Sequence, residues 1–391
     1  MGLLAASVAH PQEAGPWSIE PRLGVETDYA SNPLLHETDV HAEEHIAATI
    51  DLPLRYDTNE WEFLLRPNGR ITNSQGYATL ASNYEHLDGA AQYNDELNSV
   101  ALQGEAARDS SLYYIGGLLN RIGVPRDTGT TSADWTHMMT ALTKFQLDAS
   151  WMRARYDEPA GFNALIDYRY WSAGPTFSVA MSERDTLKLL GSYGSYNSLN
   201  GLTESKSENL QLGFVRQLTE IWTLSTGAGY SRSVNSQKIY LFGFYFLGTE
   251  TSKQTGAVYS ASLTRQGEKF SFSGGVSRAL QPTGLAYLST QDGVNVNGTY
   301  THSEHWDFAL SAAWLKALNP QVSAGLAQLN SRELTMHYLN TQLVANWHWT
   351  PQWIVSMAVT RLTQQYGPPT VSAGSTGVSL SLVRQFLRTQ F

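Results

Sequence analysis

Apolar and polar residues alternate along most of this sequence of 391 residues, and the pattern leaves few folds open. The segment LTEIWTLSTGAGYSRS, residues 218–233, shows it clearly. Neighbouring side chains of a strand point to opposite faces, so a period of two predicts a half-buried strand. One face carries Trp222, Leu224, Ala228 and Tyr230, and the other carries Thr223, Ser225, Gly227, Gly229 and Ser231.

Short polar turns separate the alternating segments. Eight of them lie at 57–61, 94–97, 143–145, 182–187, 219–222, 265–270, 303–306 and 350–353. Nine longer connections lie at 30–43, 74–83, 108–134, 158–163, 197–206, 234–253, 281–288, 318–333 and 365–374. Such an even set of strands, with short turns at one end, is typical of a transmembrane barrel. We predict that residues 17–391 form an all-β, antiparallel up-and-down transmembrane β-barrel of about 18 strands, with both termini in the periplasm.

The composition argues against several other classes. No run of 18 apolar residues is present, so a transmembrane helix is not expected. The formal net charge is −9 and Lys/Arg runs are missing, which disfavours nucleic acid as a partner because phosphate binding needs a basic face. The absence of cysteine is compatible with an oxidising periplasm. Residues 1–16 are expected to be a signal-peptide remnant or a disordered N-terminus, and the sequence leaves both readings open.

Aromatic residues directly follow several of the short turns. They are Trp61, Trp222, Trp306 and Trp353, with Phe145 and Phe270 beside other turns. Equivalent positions of successive strands lie at one level of a barrel, and amphipathic rings concentrate at membrane interfaces. We therefore expect an aromatic girdle at the turn end of the barrel. Aromatic residues that cap a soluble sandwich are the alternative.

The direction of individual side chains follows from the alternation. In the segment 306–314, the residues predicted to face lipid are Trp306, Phe308, Leu310, Ala312 and Trp314. In the segment 341–349, they are Thr341, Leu343, Ala345, Trp347 and Trp349. Pro175 lies in the less regular segment ALIDYRYWSAGPTFSVA. Because proline cannot donate a hydrogen bond to a sheet, a β-bulge is predicted there.

Four short strings carry a resemblance to a known family. They are VETDYASNP, RDSSL followed by DTG, LIDYRYWSAG, and LTEIWTLSTGAGYS, in this order along residues 17–391. In these strings the chain resembles outer-membrane β-barrel porins associated with exopolysaccharide and capsule export. The resemblance implies a location in the outer membrane, among its lipid and lipopolysaccharide. It also implies a polysaccharide substrate that is passed outward with the help of periplasmic polysaccharide-export proteins.

Charged residues on the inward face concentrate in the first strands. The predicted pore-lining residues are Glu20, Arg22, Glu26, Asp51, Arg55, Glu62, Arg66, Arg70 and Glu105. A lumen with charges of both signs is typical of a hydrated channel. The alternative is that these residues form cross-strand ion pairs that fill the lumen.

Two of the long connections are apolar at their centres. The connection RDSSLYYIGGLLNRIGVPRDTG, residues 108–129, is predicted to fold into the lumen, because its apolar residues would be adhesive outside. It would then narrow the channel with Arg108, Asp109, Arg121, Arg126 and Asp127; an extra hairpin above the membrane is the alternative. For IYLFGFYFLG, residues 239–248, the β propensity favours a hairpin extension, while a docking surface and a plug remain open.

The sequence contains one string that resembles a metalloenzyme motif. HAEEH, residues 41–45, has the zinc spacing that requires a helix, but it precedes an alternating strand. A solvated acidic loop is expected here, and a metal or lipopolysaccharide bridge with His36 is the alternative. No catalytic site, metal or cofactor is expected. The leading prediction is a channel for polysaccharide export, the alternative is a general or substrate-selective diffusion porin, and an outer-membrane barrel enzyme is a minor alternative.

Overall fold

The computed structural model describes residues 16–33, 35, 40–73, 83–114, 121–157, 166–241, 245–282, 288–318, 335–366 and 371–391. The side chains of 110–114, 121–124, 240–241, 282, 317–318, 335–336, 366 and 371 are not described. The predicted N-terminal segment lies outside these ranges, except for its last residue. Within the described ranges, no helix has the length and apolar character needed to cross a membrane.

Most of the described residues lie in strands. Their bounds are β1 (Trp17–Ile19), β2 (Arg22–Ala30), β3 (Glu43–Asp51), β4 (Leu54–Asp57), β5 (Trp61–Thr72), β6 (Tyr84–Asn94), β7 (Asn98–Tyr114), β8 (Arg121–Met138), β9 (Thr143–Tyr156), β10 (Tyr168–Ala180), β11 (Asp185–Ser198), β12 (Thr203–Gln217), β13 (Trp222–Leu241), β14 (Tyr245–Gln266), β15 (Phe270–Pro282), β16 (Leu288–Ser303), β17 (Trp306–Leu318), β18 (Thr335–Thr350), β19 (Trp353–Tyr366), β20 (Val371–Gln385) and β21 (Thr389–Gln390).

These strands make one closed antiparallel sheet. β2 pairs with β3 on one side and with β20 on the other, where Arg22 lies opposite Gln385. β1 pairs in the same way with β4 and β21. Three strands of the barrel are therefore each interrupted once, and they consist of β1 with β2, β3 with β4, and β20 with β21. The 21 segments therefore form 18 strand positions, as predicted. Closure pairs the backbone groups that would be left open at a sheet edge, which is what a membrane-spanning sheet requires.

The outer face of the barrel is apolar. Leu310 and Leu343 lie opposite each other on β17 and β18, with 48% and 52% of their surfaces exposed. Large apolar side chains that protein leaves half exposed would be unfavourable in water, and contact with lipid explains them. The predicted outward faces of β17 and β18 are confirmed by this register.

The aromatic residues after the short turns form the predicted girdle. Trp306 and Trp347 lie opposite each other with ring centroids 6.1 Å apart. Trp61 contacts Tyr93 at 4.8 Å in the same way on β5 and β6. Because the aromatic pairs stay at the short-turn end, they mark one membrane interface.

Small inward residues let neighbouring strands approach closely. Gly229 lies on the inward face of β13 opposite Gln211. A Cβ at this position would overlap the carbonyl oxygen of Leu210, so a larger residue would push the strands apart. The glycine and serine face of the segment 218–233 therefore faces the lumen, and its tryptophan and tyrosine face outward.

The β-bulge predicted at Pro175 is wrong. The register between β10 and β11 is the same at Ala173, opposite Tyr193, and at Thr176, opposite Leu190. Pro175 keeps its place opposite Leu147 of β9. The sheet accommodates the missing N–H group of proline without an inserted residue, so the side chains of β10 alternate between the two faces along the whole strand.

The sidedness of the barrel can be tested by labelling. The chain has no cysteine, so a single introduced thiol reports its own position. Ser236→Cys, near the long-loop end of β13, should react with a membrane-impermeant maleimide on whole cells. Asn59→Cys, in the short turn after β4, should react only after the outer membrane is opened. The reverse labelling pattern would show that the short turns face outward.

Candidate functional site in the lumen

The inward faces of β2 to β9 form what we call the charged wall. Arg66 donates two hydrogen bonds to the carboxylate of Asp51, of 2.6 and 2.9 Å. Arg70 contacts Asp28 and lies 3.6 Å from Glu26. Bidentate pairs of this kind fix the orientation of both side chains. By register the predicted lining residues of these strands lie on the inward face, where Asp51, Arg66 and Arg70 form cross-strand ion pairs.

The other predicted lining residues also lie on the charged wall. Arg22 contacts Glu20 at 3.4 Å, and Glu20 accepts a hydrogen bond from Gln385. By register, Arg55, Glu62 and Glu105 lie opposite Leu64, Gln92 and Asp88. All nine predicted positions therefore lie on the inward face.

Two pairs of carboxylates on the charged wall were not predicted as pairs, although Glu105 was predicted to face inward. Asp88 lies opposite Glu105, and Asp134 lies opposite Asp148. The amide of Gln146 bridges the second pair, at 3.4 Å from Asp134 and 2.5 Å from Asp148. Like charges placed directly opposite each other destabilise a sheet. The parity of each strand gave the direction of these side chains, but only the register brought them together.

The string HAEEH was predicted to be a solvated loop, and this prediction is wrong for its last three residues. Glu43 and His45 lie in β3, and His45 is 4% exposed, with its Nδ1 atom 3.0 Å from Asp28. Strand spacing separates His45 from His41, which precedes the strand. Among the described residues, no three potential ligands are grouped to hold a metal ion.

The connection predicted to fold into the lumen as a loop, residues 108–129, is instead largely a hairpin. The β7–β8 ladder continues from Arg108, opposite Asp127, to Tyr114, opposite Arg121. Continued pairing satisfies backbone groups that a loop would leave open. The loop prediction is therefore wrong for the paired residues, and the alternative hairpin is supported. Residues 115–120 and the side chain of Arg121 lie outside the described part.

The remaining charged residues of this hairpin pair with one another. Arg126 donates hydrogen bonds of 2.7 and 3.1 Å to Asp109, on the inward face. Arg108 lies on the outward face of β7, and it contacts Asp127 at 3.1 Å and Asp157 at 2.8 Å. These groups stabilise the end of the wall and do not form a ring across the passage.

The described residues of the segment 239–248, which are 239–241 and 245–248, pair as a hairpin, as the β propensity predicted. Tyr240 lies opposite Phe246, and Leu241 lies opposite Tyr245. Tyr245, Phe246 and Leu247 are 63%, 57% and 61% exposed, so these side chains do not plug the mouth of the barrel.

A different hairpin enters the lumen. β15 pairs with β14 only up to Arg278, opposite Tyr259, and then pairs with β16 alone. We call residues 279–282 and 288–291 the inner hairpin. Gln254 lies on the inward face of β14, and its Nε2 atom donates a hydrogen bond to Thr290 Oγ1 at 3.4 Å. A contact between an inward side chain and the hairpin places the hairpin inside the barrel.

An apolar cluster holds the inner hairpin against the opposite strands. Leu288 is 1% exposed and belongs to one buried cluster with Ala154, Tyr156, Tyr168 and Tyr196 of β9 to β11. The rings of Tyr168 and Tyr196 stack with centroids 5.2 Å apart. Burial of a leucine among aromatic rings is worth about 1.5–3 kcal/mol. The inner hairpin therefore crosses the lumen side of β12 to β14.

The inward faces of β12 to β14 carry no charged residue in their described register except Glu250, near the long-loop end, and we call this surface the serine wall. Its inward residues include Ser205, Ser207, Ser225, Ser231, Ser233, Ser260 and Ser262. Ser205 and Ser233 are 0% and 1% exposed. The lumen thus has a charged side and an uncharged side, and the inner hairpin lies over the uncharged one.

Comparisons with known proteins bear on the fold. No protein-family model and no curated protein matches the sequence. The ferric citrate transporter FecA in its unliganded form aligns with a TM-score of 0.50 at 8% identity, over 96% of this chain and 79% of FecA. OpdK of Pseudomonas aeruginosa, solved with vanillate, aligns with a TM-score of 0.47 at 11% identity, over 94% of this chain and 99% of OpdK. At such identity the likeness concerns the fold alone.

The fold and the lumen together define a class. The sheet is closed, its outer face is apolar, one rim carries an aromatic girdle and the interior is charged. A water-soluble protein would expose polar groups outside and bury apolar groups inside, which is the reverse arrangement. The chain is an outer-membrane β-barrel.

Proposed function

We propose that this barrel is a diffusion channel for small hydrophilic solutes, with a preference for cationic and neutral solutes over anions. The observation that carries the proposal is the inner hairpin, which occupies the uncharged side of the lumen. The hairpin leaves the passage beside the charged wall. A restricted, hydrated path of this kind suits single small solutes.

The preference against anions rests on how the charges are paired. The guanidinium groups of Arg66 and Arg70 are each held by carboxylates. Asp134 and Asp148, in contrast, share the neutral amide of Gln146. Paired arginines contribute little net field, whereas adjacent carboxylates make the local potential negative. A negative lumen raises the local concentration of cations.

Removing the carboxylate pair tests this proposal. Asp134→Asn combined with Asp148→Asn should lower the cation-to-anion permeability ratio by about fivefold. Each charge at roughly 8 Å from an ion contributes about 0.5 kcal/mol in water, salt at ~0.1 M roughly halves this energy, and it acts with opposite sign on cations and anions. The measurement is the reversal potential in planar bilayers under a KCl gradient. The control is Glu183→Gln with Glu220→Gln, which removes two charges from short turns and should leave the ratio nearly unchanged.

Export of a polysaccharide, which the family resemblance implies, is the alternative. An exporter has to stay closed to small ions until its polymer or a periplasmic partner arrives. Steady conductance of the purified protein alone therefore supports diffusion. A protein that conducts only with polysaccharide or a periplasmic partner would contradict our proposal and favour export.

A further inference from the structure

A small cavity lies between the inner hairpin and the serine wall. Its volume is about 180 Å³. Ser231, Ser233 and Gln254 line it from β13 and β14, and Leu280 and Thr290 line it from the hairpin. The cavity therefore lies at the joint between a fixed strand wall and the element that narrows the channel.

Two polar groups of the cavity have no hydrogen-bond partner among the described residues. Ser233 is 1% exposed, and its hydroxyl oxygen is unpaired. The side-chain oxygen of Gln254 is unpaired as well, although its nitrogen donates to Thr290. Ser231 is satisfied, because its hydroxyl donates to the carbonyl of Gly256 at 3.4 Å. Buried polar groups without partners are rare, and a bound polar molecule would satisfy them.

The cavity offers no charge to a ligand. Arg278 is the one charged residue among the described residues that line it. Its guanidinium donates two hydrogen bonds to Asp292, of 2.5 and 2.6 Å. A charged ligand would have to be desolvated without an opposite charge, which is unfavourable. The lining favours a neutral ligand.

Apolar side chains also line the cavity. Val258 is 4% exposed and lies on the inward face of β14, and Leu280 belongs to the hairpin. A ligand with hydroxyl groups on one side and C–H groups on the other matches both surfaces. We propose that this cavity binds a neutral polyhydroxylated solute, a sugar or a polyol. This inference rests on the proposed diffusion function and names a substrate class for it.

A bound solute contacts both the serine wall and the inner hairpin. Because the inner hairpin also bounds the passage, a solute held behind it is expected to shift the hairpin toward the charged wall and to lower the ionic current for as long as it stays bound. Single-channel recordings with glucose or sorbitol as the added probe should therefore show current interruptions whose frequency rises with probe concentration.

Two variants and one control test the assignment. Ser233→Ala and Gln254→Leu should each weaken the apparent binding of glucose by about tenfold, the loss expected for a buried hydrogen bond. Ser225→Ala removes a hydroxyl from the same strand and the same face outside the cavity, and it should bind like the unmodified protein. A heat-dependent shift on SDS gels shows that each variant has formed its barrel.

The outcomes separate the site from the channel. If the unmodified protein conducts ions and neither glucose nor sorbitol interrupts the current, the site is overturned and the diffusion function stands. Equal weakening in Ser225→Ala and in the two cavity variants also overturns the site. If the purified protein neither conducts ions nor admits solutes into liposomes, the proposed function fails with it.

Discussion

Excision of the inner hairpin should raise the single-channel conductance by about two- to threefold, because an 18-stranded barrel encloses a wide lumen once nothing crosses it. The change replaces residues 280–290 by an Asn-Gly turn between Ala279 and Gln291, which already lie opposite each other. Asn-Gly forms the tight turn that a two-residue hairpin needs. Conductance in planar bilayers is the measurement.

A second hairpin provides the matched control for this experiment. Excision of residues 238–249 shortens the β13–β14 hairpin, whose tip residues Tyr245 and Phe246 are exposed. This control should leave the conductance unchanged, since the removed strands do not narrow the lumen. A rise in conductance on shortening β13–β14, with no rise on removal of the inner hairpin, would show that the constriction lies elsewhere.

Leu343→Arg should destabilise the barrel by about 2–4 kcal/mol, the cost of an arginine on the lipid face near the membrane midplane. Leu343 is 52% exposed and lies four residues along β18 from the girdle residue Trp347. An arginine there cannot reach the interface without distorting the bilayer. The free energy of unfolding from lipid vesicles in urea is the measurement.

The neighbouring residue is the control for this substitution. Gln342 faces the lumen opposite Ser311 and Thr360, so Gln342→Arg places the same charge in water. Its effect on the free energy of unfolding should be close to zero. A loss of similar size in both variants would mean that the assignment of faces on β18 is wrong.

The sequence alone determined the direction of most side chains. Trp222 and Tyr230 face outward, and Gly229 faces inward, as the alternation predicts. The alternation is a local property, because successive residues of any strand point to opposite sides. The strand number was predictable for the same reason, since the turns that punctuate the pattern are local as well.

Register, in contrast, depends on which residues of two strands meet. Asp134 and Asp148 each follow the inward parity of their own strand, and only the pairing of β8 with β9 places them opposite each other. Pro175 shows the same limit, because the sequence suggested a bulge and the two neighbouring ladders hold β10 in register.

The choice of the hairpin that enters the lumen was decided by the tertiary structure. The apolar connection 108–129 was the sequence candidate, yet its paired residues extend the wall. The inner hairpin enters because Leu288 finds a buried place among Tyr168 and Tyr196, which are far from it in sequence. Local pattern sets which face of a strand is apolar, but burial against a distant partner decides where a hairpin lies, and that partner exists only once the barrel has closed.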